Sequence, residues 1–330
     1  MLIRPDRLPD EVLTRALGAG WDITPVAIRY LAVGYGSHHW QVTASHGQRW
    51  FVTVDDLADR LRSPADTRDA ACGRLRSALK TARVLADTGV SFVVAPVSTA
   101  DGGILRRIGG AYAIAVYPFV AGRVREFGDA LSTADRRAVL PLITAVHNAP
   151  ASVRRHAQPD DFLLPGGDVL RRALDELAVR WDGGPYGERA RRLLVRQARP
   201  LERLLRYRDQ LAGQARSQPE RMVLTHGEPH PGNLIQAVSQ WMLVDWDTTL
   251  VAPPERDLWV LDPADGSVTD AYHRATGREI SPPMLDLYRL TWELSDVVSS
   301  VTRFRREHGD TAEDRAHWEI LSRRCSGRSS

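Results

Sequence analysis

The sequence predicts an α+β fold in two lobes, β-rich at the N-terminus and mainly helical after it. Three observations carry this expectation. Runs of β-branched and aromatic residues, broken by helical patterns, fill the chain up to Pro118. Val120-Ala121-Gly122-Arg123 then reads as a linker, and long helical periodicities dominate beyond it. A chain of 330 residues is also long enough to bury two cores. The expected division is 1–119 and 120–330.

The elements follow in order. Residues 9–17 place Val12, Leu13, Ala16 and Leu17 at helical spacing, and Gly18 and Gly20 are expected to stop that helix. Strands are expected over 26–33, 40–44 and 50–54, with Ser45-His46-Gly47 as a hairpin turn. Gly34-Tyr35-Gly36-Ser37 joins the first two strands and reads either as a plain hairpin or as a phosphate cover. A helix over 66–87 stripes Leu75, Leu79, Ala82 and Leu85, and Gly89 ends it. Strands resume at 92–97, 103–108 and 111–118. Ser132, with Asp135 three residues on, caps a helix running to His147. Helices are expected at 169–181 and 186–214, short strands at 222–224, 233–237 and 242–244, and helices at 283–305 and 311–323. The tail 326–330 is expected to be disordered.

Composition excludes several function classes. Hydrophobic residues make up 43% and charged residues 26%, ordinary for a globular protein. A net charge of +3, nearly all of it arginine since Lys80 is the only lysine, gives no basic block for nucleic acid. Cys72 and Cys325 form neither a disulfide framework nor a zinc pattern. No apolar run is long enough to span a membrane, and residues 1–10 carry no apolar core of the kind expected of a signal peptide. A cytoplasmic, monomeric enzyme or binding protein is expected.

The chemistry is densest at Thr225-His226-Gly227-Glu228-Pro229-His230-Pro231-Gly232-Asn233, followed by Val244-Asp245-Trp246-Asp247. Pro229 and Pro231 lack amide donors and Gly227 and Gly232 loosen the backbone, so this is a loop. The zinc-protease pattern His-Glu-x-x-His needs a helix and does not apply. Asn233 and Asp245 are hard oxygen donors of the kind that suits Mg²⁺. Protein kinases place a catalytic aspartate five residues before a metal-binding asparagine, with a second metal-binding aspartate further on. Glu228, Asn233 and Asp245 keep that order.

With Pro254-Glu255-Arg256-Asp257-Leu258, these motifs make the chain resemble the aminoglycoside phosphotransferase and choline-kinase-like superfamily, most closely its spectinomycin phosphotransferases. The resemblance covers nearly the whole chain in architecture, and its specific residues lie between 225 and 258. It implies a bilobal protein-kinase-like fold, with an N-terminal nucleotide-binding lobe and a C-terminal catalytic and acceptor-binding lobe. It implies ATP and Mg²⁺, with Glu228 orienting the acceptor hydroxyl and Asn233 and Asp245 holding metal. Gly34, Gly36 and Ser37 would cover phosphates. Tyr117 and Phe119 fall where the family's hinge meets adenine; on the residues alone they equally read as a strand end packing on the linker. His226 and Asp257 are expected to buttress the loop.

The sequence departs from the family pattern twice. Glu228 stands where most members have aspartate, which adds roughly 1.5 Å of reach. Thr53 stands where kinases carry the phosphate-binding strand lysine, and the helix over 66–87 has no glutamate to pair with one. Arg74 or Arg76 on that helix is the expected source of the missing cation. On the acceptor side, Tyr288, Trp292 and Asp296 recur along one helix with Glu293 beside them. They could receive a cationic aminocyclitol, or be core aromatics and solvated acids. The function expected is ATP-dependent phosphorylation of a hydroxyl on an aminoglycoside or aminocyclitol, spectinomycin foremost, inactivating the antibiotic. The alternatives are a small-metabolite kinase of the same superfamily and a non-catalytic pseudokinase-like binding protein.

Overall fold

A computed structural model describes residues 3–34 and 36–326. In chain order the elements are α1 (Asp10–Trp21), β1 (Pro25–Leu31), β2 (His38–Ala44), β3 (Arg49–Asp56), α2 (Arg68–Asp87), β4 (Arg106–Ile108), β5 (Tyr112–Pro118), β6 (Arg123–Val124), α3 (Thr133–His147), α4 (Ala151–Arg154), β7 (Gln158–Pro159), α5 (Gly167–Asp175) and α6 (Gly187–Arg216). There follow β8 (Val223–Thr225), β9 (Leu234–Gln236), β10 (Trp241–Leu243), β11 (Leu250–Ala252), α7 (Glu255–Leu258), α8 (Ser267–Thr276), α9 (Pro282–Phe304) and α10 (Ala312–Ser326). This is the expected mixed α+β architecture, with a sheet-rich N-terminal region and a helical C-terminal part.

The chain forms two compact units, each discontinuous in sequence. One comprises residues 1–159 and 222–279, the other 160–221 and 280–330. This grouping differs from a simple division at 119/120, because the chain returns to the first unit after α6.

The first unit is built on a five-stranded sheet in the order β1-β2-β3-β5-β4. Adjacent strands are antiparallel, with Val52 opposite Val116 and Val54 opposite Ile114. Strand side chains alternate between faces. Val52, Val54, Ile114 and Val116 therefore join Leu13 and Leu17 of α1 in one core. Phe51, Ala113, Ala115 and Tyr117 join Leu75 and Leu79 of α2 in another. Thr53 and Asp55 fall on the α2 side by the same alternation.

Several sequence expectations need correction. Gly18 and Gly20 do not stop α1; the helix continues to Trp21 and ends at Asp22, which adopts φ 55°. Glycine serves packing at position 20, where a Cβ would come within 2.7 Å of the Arg106 side chain. Residues 92–97 form no strand. They make one bridge, Val93 to Leu243, and lend backbone bonds to β5 and β10. The strand expected over 103–108 shrinks to Arg106–Ile108, and the helix expected to reach 181 ends at Asp175. The expected linker is tied down, since β6 pairs with β9. Ser132 and Asp135 form the anticipated capping box on α3. Of the tail expected to be disordered, Ser326 closes α10 and 327–330 lie outside the described residues.

The second unit packs α5, α6, α9 and α10 around Leu194, Leu201, Leu294, Val297, Val301, Phe304 and Leu321, all buried. Among the described residues no helix is long and apolar enough to cross a membrane.

Candidate active site

The loop after β8 is held by one buried carboxylate. Asp257 of α7 accepts hydrogen bonds from the amides of His226, at 2.8 Å, and Gly227, at 2.6 Å. It also meets His147 Nε2 at 3.1 Å, and His147 Nδ1 contacts the Tyr272 hydroxyl at 2.8 Å. Burial alone would raise the Asp257 pKa, but the hydrogen bond from His147 and the charge of nearby Arg256 hold it below the usual carboxylate range. Next to it, Arg256 donates to Thr225 Oγ1 at 2.9 Å and to the Thr248 carbonyl at 2.8 Å. Gly227 sits at φ 105°, and a Cβ there would lie 2.5 Å from the Arg256 guanidinium. Only glycine meets both conditions.

His226 ties this loop to the next. Its Nε2 lies 2.9 Å from the Val244 carbonyl, and its Nδ1 accepts from the Glu228 amide at 3.2 Å. One donor and one acceptor define a neutral imidazole, and burial lowers the His226 pKa in the same sense. The ring stands edge-on to the buried Trp246 at 4.7 Å.

The side chains expected to carry the chemistry are Glu228, Asn233 and Asp245. Glu228 is half-buried, with Oε2 3.6 Å from His230 Nε2. The buried Asn233 donates its amide to the Glu228 carbonyl at 2.9 Å. That bond fixes the orientation of the carboxamide, and its oxygen takes no hydrogen bond among the described residues. Asp245 occupies φ 65°, an uncommon conformation for a non-glycine residue that aspartate tolerates. Burial, then the charges of Asp247 and Glu228, push its pKa well above the usual range, with Arg60 opposing. The residue keeps exposed surface, so the neighbouring carboxylates are the firmer cause.

Asp247, which the sequence left open between the strand face of Asp245 and a turn, lies beside Asp245 and pairs with Arg60. Burial would raise Asp247, but Arg60 holds it low. Asp245, Asp247 and Asn233 form a hard-oxygen set with excess negative charge, which fits a divalent cation such as Mg²⁺. Among the described residues no group of three or more His, Cys, Asp or Glu makes a ready metal cage. Mg²⁺ needs none, because it keeps water and phosphate in its shell.

The nucleotide-side expectations meet a more connected structure. Gly34 and Gly36 adopt φ 67° and 86°, and nothing lies within 4 Å of a Cβ added at Gly36. The buried Ser37 donates to Asp55 Oδ1 at 2.5 Å. Tyr117 is paired in β5 opposite Phe51, its phenol beside Thr53. Burial and the charges of Asp245, Asp55 and Asp247 raise its pKa. The Phe119 amide donates to the Arg49 carbonyl at 3.3 Å, and its ring lies 4.3 Å beneath the Arg49 guanidinium.

The cation reaching the acidic cluster is neither Arg74 nor Arg76. Arg74 is taken by Asp66 and the Arg60 carbonyl, while Arg76 is exposed beside Cys72. Arg60, in the turn after β3, is the residue in contact. It donates Nε to Asp55 Oδ1 at 2.9 Å and one terminal nitrogen to the same oxygen at 2.6 Å, and it pairs with Asp247. The Asp55-Asp56 doublet was the available signal, since a carboxylate on a strand face above a core requires a partner.

The acceptor-side candidates lie in the second unit. The Tyr288 hydroxyl donates to Asp160 at 3.0 Å. Asp296 accepts from Arg324 Nε at 2.9 Å, and Glu293 stands 3.9 Å from the same guanidinium. Trp292 is partly buried one position before Glu293. Glu293 and Asp296 of α9 therefore share a cation from α10.

Comparison with known proteins agrees with the fold. The sequence model of the phosphotransferase enzyme family matches residues 27–289. The protein StrN of Streptomyces griseus is 29% identical over 261 residues, covering 76% of this chain and 77% of its own. Among solved structures, a spectinomycin phosphotransferase crystallised with ADP and spectinomycin superimposes with a TM-score of 0.70 at 15% identity, covering 97% of this chain and 94% of that one. A macrolide 2′-phosphotransferase from Brachybacterium faecium gives 0.52 at 17% identity, covering 99% and 100%. The chain is an ATP-dependent kinase acting on a hydroxyl group and belongs to the phosphotransferase enzyme family.

Proposed function

We propose that this enzyme transfers the γ-phosphoryl group of ATP to a hydroxyl of an aminoglycoside or aminocyclitol antibiotic, with spectinomycin the first acceptor to test, and so inactivates it. The observation that carries the reading is that His226 bonds both the Glu228 amide and the Val244 carbonyl, one residue before Asp245, while Asn233 bonds the Glu228 carbonyl. Likeness in fold to an enzyme solved with ADP and spectinomycin supports the choice of acceptor class.

In this reading Glu228 orients the acceptor hydroxyl and accepts its proton as the new P–O bond forms. General bases contribute about 10²–10⁴-fold. Asn233, Asp245 and Asp247 would hold Mg²⁺, which neutralises charge on the transferring phosphoryl group. Asp257 and Arg256 keep the loop backbone fixed, so the carboxylate needs no reordering before reaction. Tyr117 and Phe119 border the adenine end, and Gly34, Gly36 and Ser37 the phosphate end.

A second reading has its own observation. Glu293 and Asp296 are both drawn to Arg324, which reduces the negative charge available to a cationic acceptor. That favours a less basic alcohol, a small-metabolite kinase activity. Mass spectrometry after incubation with ATP and Mg²⁺ separates the two. A gain of one phosphate on spectinomycin or an aminoglycoside supports the first reading. Phosphorylation confined to uncharged alcohols in the panel replaces it with the second, and no transfer to any acceptor overturns both.

A further inference from the structure

Strand β3 presents Thr53 where a kinase strand lysine would hold the phosphates, and α2 offers no glutamate to such a lysine. The structure assembles a cation and an anchor on the same side of the sheet by another route. Asp55 is two residues beyond Thr53 and therefore on the same strand face. Its side chain is only 4% exposed. Its Oδ1 gathers three donors: Ser37 Oγ, Arg60 Nε and an Arg60 terminal nitrogen. That geometry fixes the guanidinium plane as a helix glutamate fixes a strand lysine. Arginine suits the task, because its five donors allow one edge to be anchored while another recognises an oxyanion.

The anchored nitrogen has a second partner. The terminal nitrogen of Arg60 that bonds Asp55 also pairs with Asp247. Asp247 in turn lies against Asp245, and Arg60 opposes the crowding of negative charge there. Arg60 is the cation paired with this cluster. A metal–nucleotide complex brings a divalent cation for the carboxylates and phosphate oxygens for the guanidinium, so both halves of the ion pair have better partners.

Building on the phosphotransferase reading, we propose that Arg60, positioned by Asp55, is the phosphate-binding cation of this chain in place of the strand lysine, and that its pair with Asp247 is a latch exchanged when nucleotide and divalent cation bind. In the exchange Arg60 trades a carboxylate for a phosphate oxygen, and Asp247 trades the guanidinium for the metal. No covalent bond changes.

Binding affinity tests this without recourse to turnover. Calorimetry would compare ADP with adenosine, each with Mg²⁺ and with EDTA. Arg60→Ala is expected to weaken ADP about tenfold to a hundredfold, the worth of one charge-assisted contact, and to leave adenosine unchanged. Asp55→Asn should weaken ADP in the same selective way, as expected of a positioning residue. Asp247→Asn should tighten ADP in EDTA, because Arg60 is then released, and should abolish the gain from Mg²⁺. A general structural defect would lower ADP and adenosine together. If Arg60→Ala does not fold, Arg60→Lys and Asp247→Asn decide the matter. ADP affinity within twofold of the parent in the Arg60 variant, equal losses for ADP and adenosine, or no EDTA-dependent gain in Asp247→Asn would each overturn the proposal. A parent protein that binds neither compound would overturn the phosphotransferase reading as well, and is told apart by that result.

Discussion

Glu228 makes the site unusual at the scale of one residue. The loop that carries it is clamped at both ends: Asp257 holds the amides of residues 226 and 227, and Asn233 bonds the Glu228 carbonyl. The backbone is therefore fixed and only the side chain sets the reach. Glu228→Gln keeps the shape and removes the base, so kcat should fall about 10²–10⁴-fold while the ADP dissociation constant stays unchanged. Parental turnover in that variant would remove Glu228 from the mechanism. Glu228→Asp withdraws the carboxylate by one methylene, and a shift near 1 Å is expected to cost about 10²-fold. Order and spacing marked Glu228, Asn233 and Asp245 as candidates in the sequence, because all three lie in one run of loop and strand. Arg60 was not legible. It meets Asp247 across 187 residues of chain, and sequence periodicity reports neighbours within an element, not pairs formed when distant loops converge.

At the scale of the element, the starts of α3 and α10 followed local chemistry most closely. Ser132 and Asp135 cap α3, and the same three-residue spacing recurs where Thr311 and Asp314 open α10. Asp314 is wholly buried, and burial would raise its pKa, but the Thr311 hydroxyl and amide and Arg303 hold it down to about 2. A carboxyl with a depressed folded pKa gives stability that is present above its unfolded value, near 3.9, and lost as pH falls through the folded value. Asp314→Asn should therefore destabilise the protein by about 1–2 kcal/mol at neutral pH, the worth of a cap. The difference from the parent should close between about pH 4 and pH 2. Urea titrations across that range would check it, and a constant gap down to pH 2 would contradict it. Elements were misread where distant packing overruled local propensity. Gly18 and Gly20 would weaken an isolated helix by roughly 1 kcal/mol each. Here the buried Leu13 and Leu17 seat α1 on the sheet, and Arg106 packs over Gly20. Residues 92–97 have strand composition, but their backbone is shared between β5 and β10, so no ladder forms.

At the scale of the whole molecule, the two compact units divide the proposed tasks. Arg60, Glu228, Asn233, Asp245 and Asp247 all belong to the unit of 1–159 and 222–279, and the acceptor candidates Tyr288, Trp292, Glu293 and Asp296 to the other. Composition could not reveal this grouping, because each unit is closed by two segments that are separated in sequence. A ligand that binds only the native state stabilises by about 2.7 kcal/mol at a hundred times its dissociation constant. Local opening free energies report where that stabilisation falls. Hydrogen exchange with Mg²⁺ and ADP should therefore slow amides in β3, in the turn bearing Arg60, and in the loops at 226–233 and 244–249. Amides of α5, α6 and α10 should exchange as before. Adding an accepted aminocyclitol should then slow α9 around Tyr288 to Asp296. Protection by nucleotide confined to α9, or spread evenly over both units, would contradict this assignment of nucleotide and acceptor. An acceptor that is phosphorylated yet leaves α9 unprotected would remove those four residues from the acceptor site while leaving the catalytic loop in place.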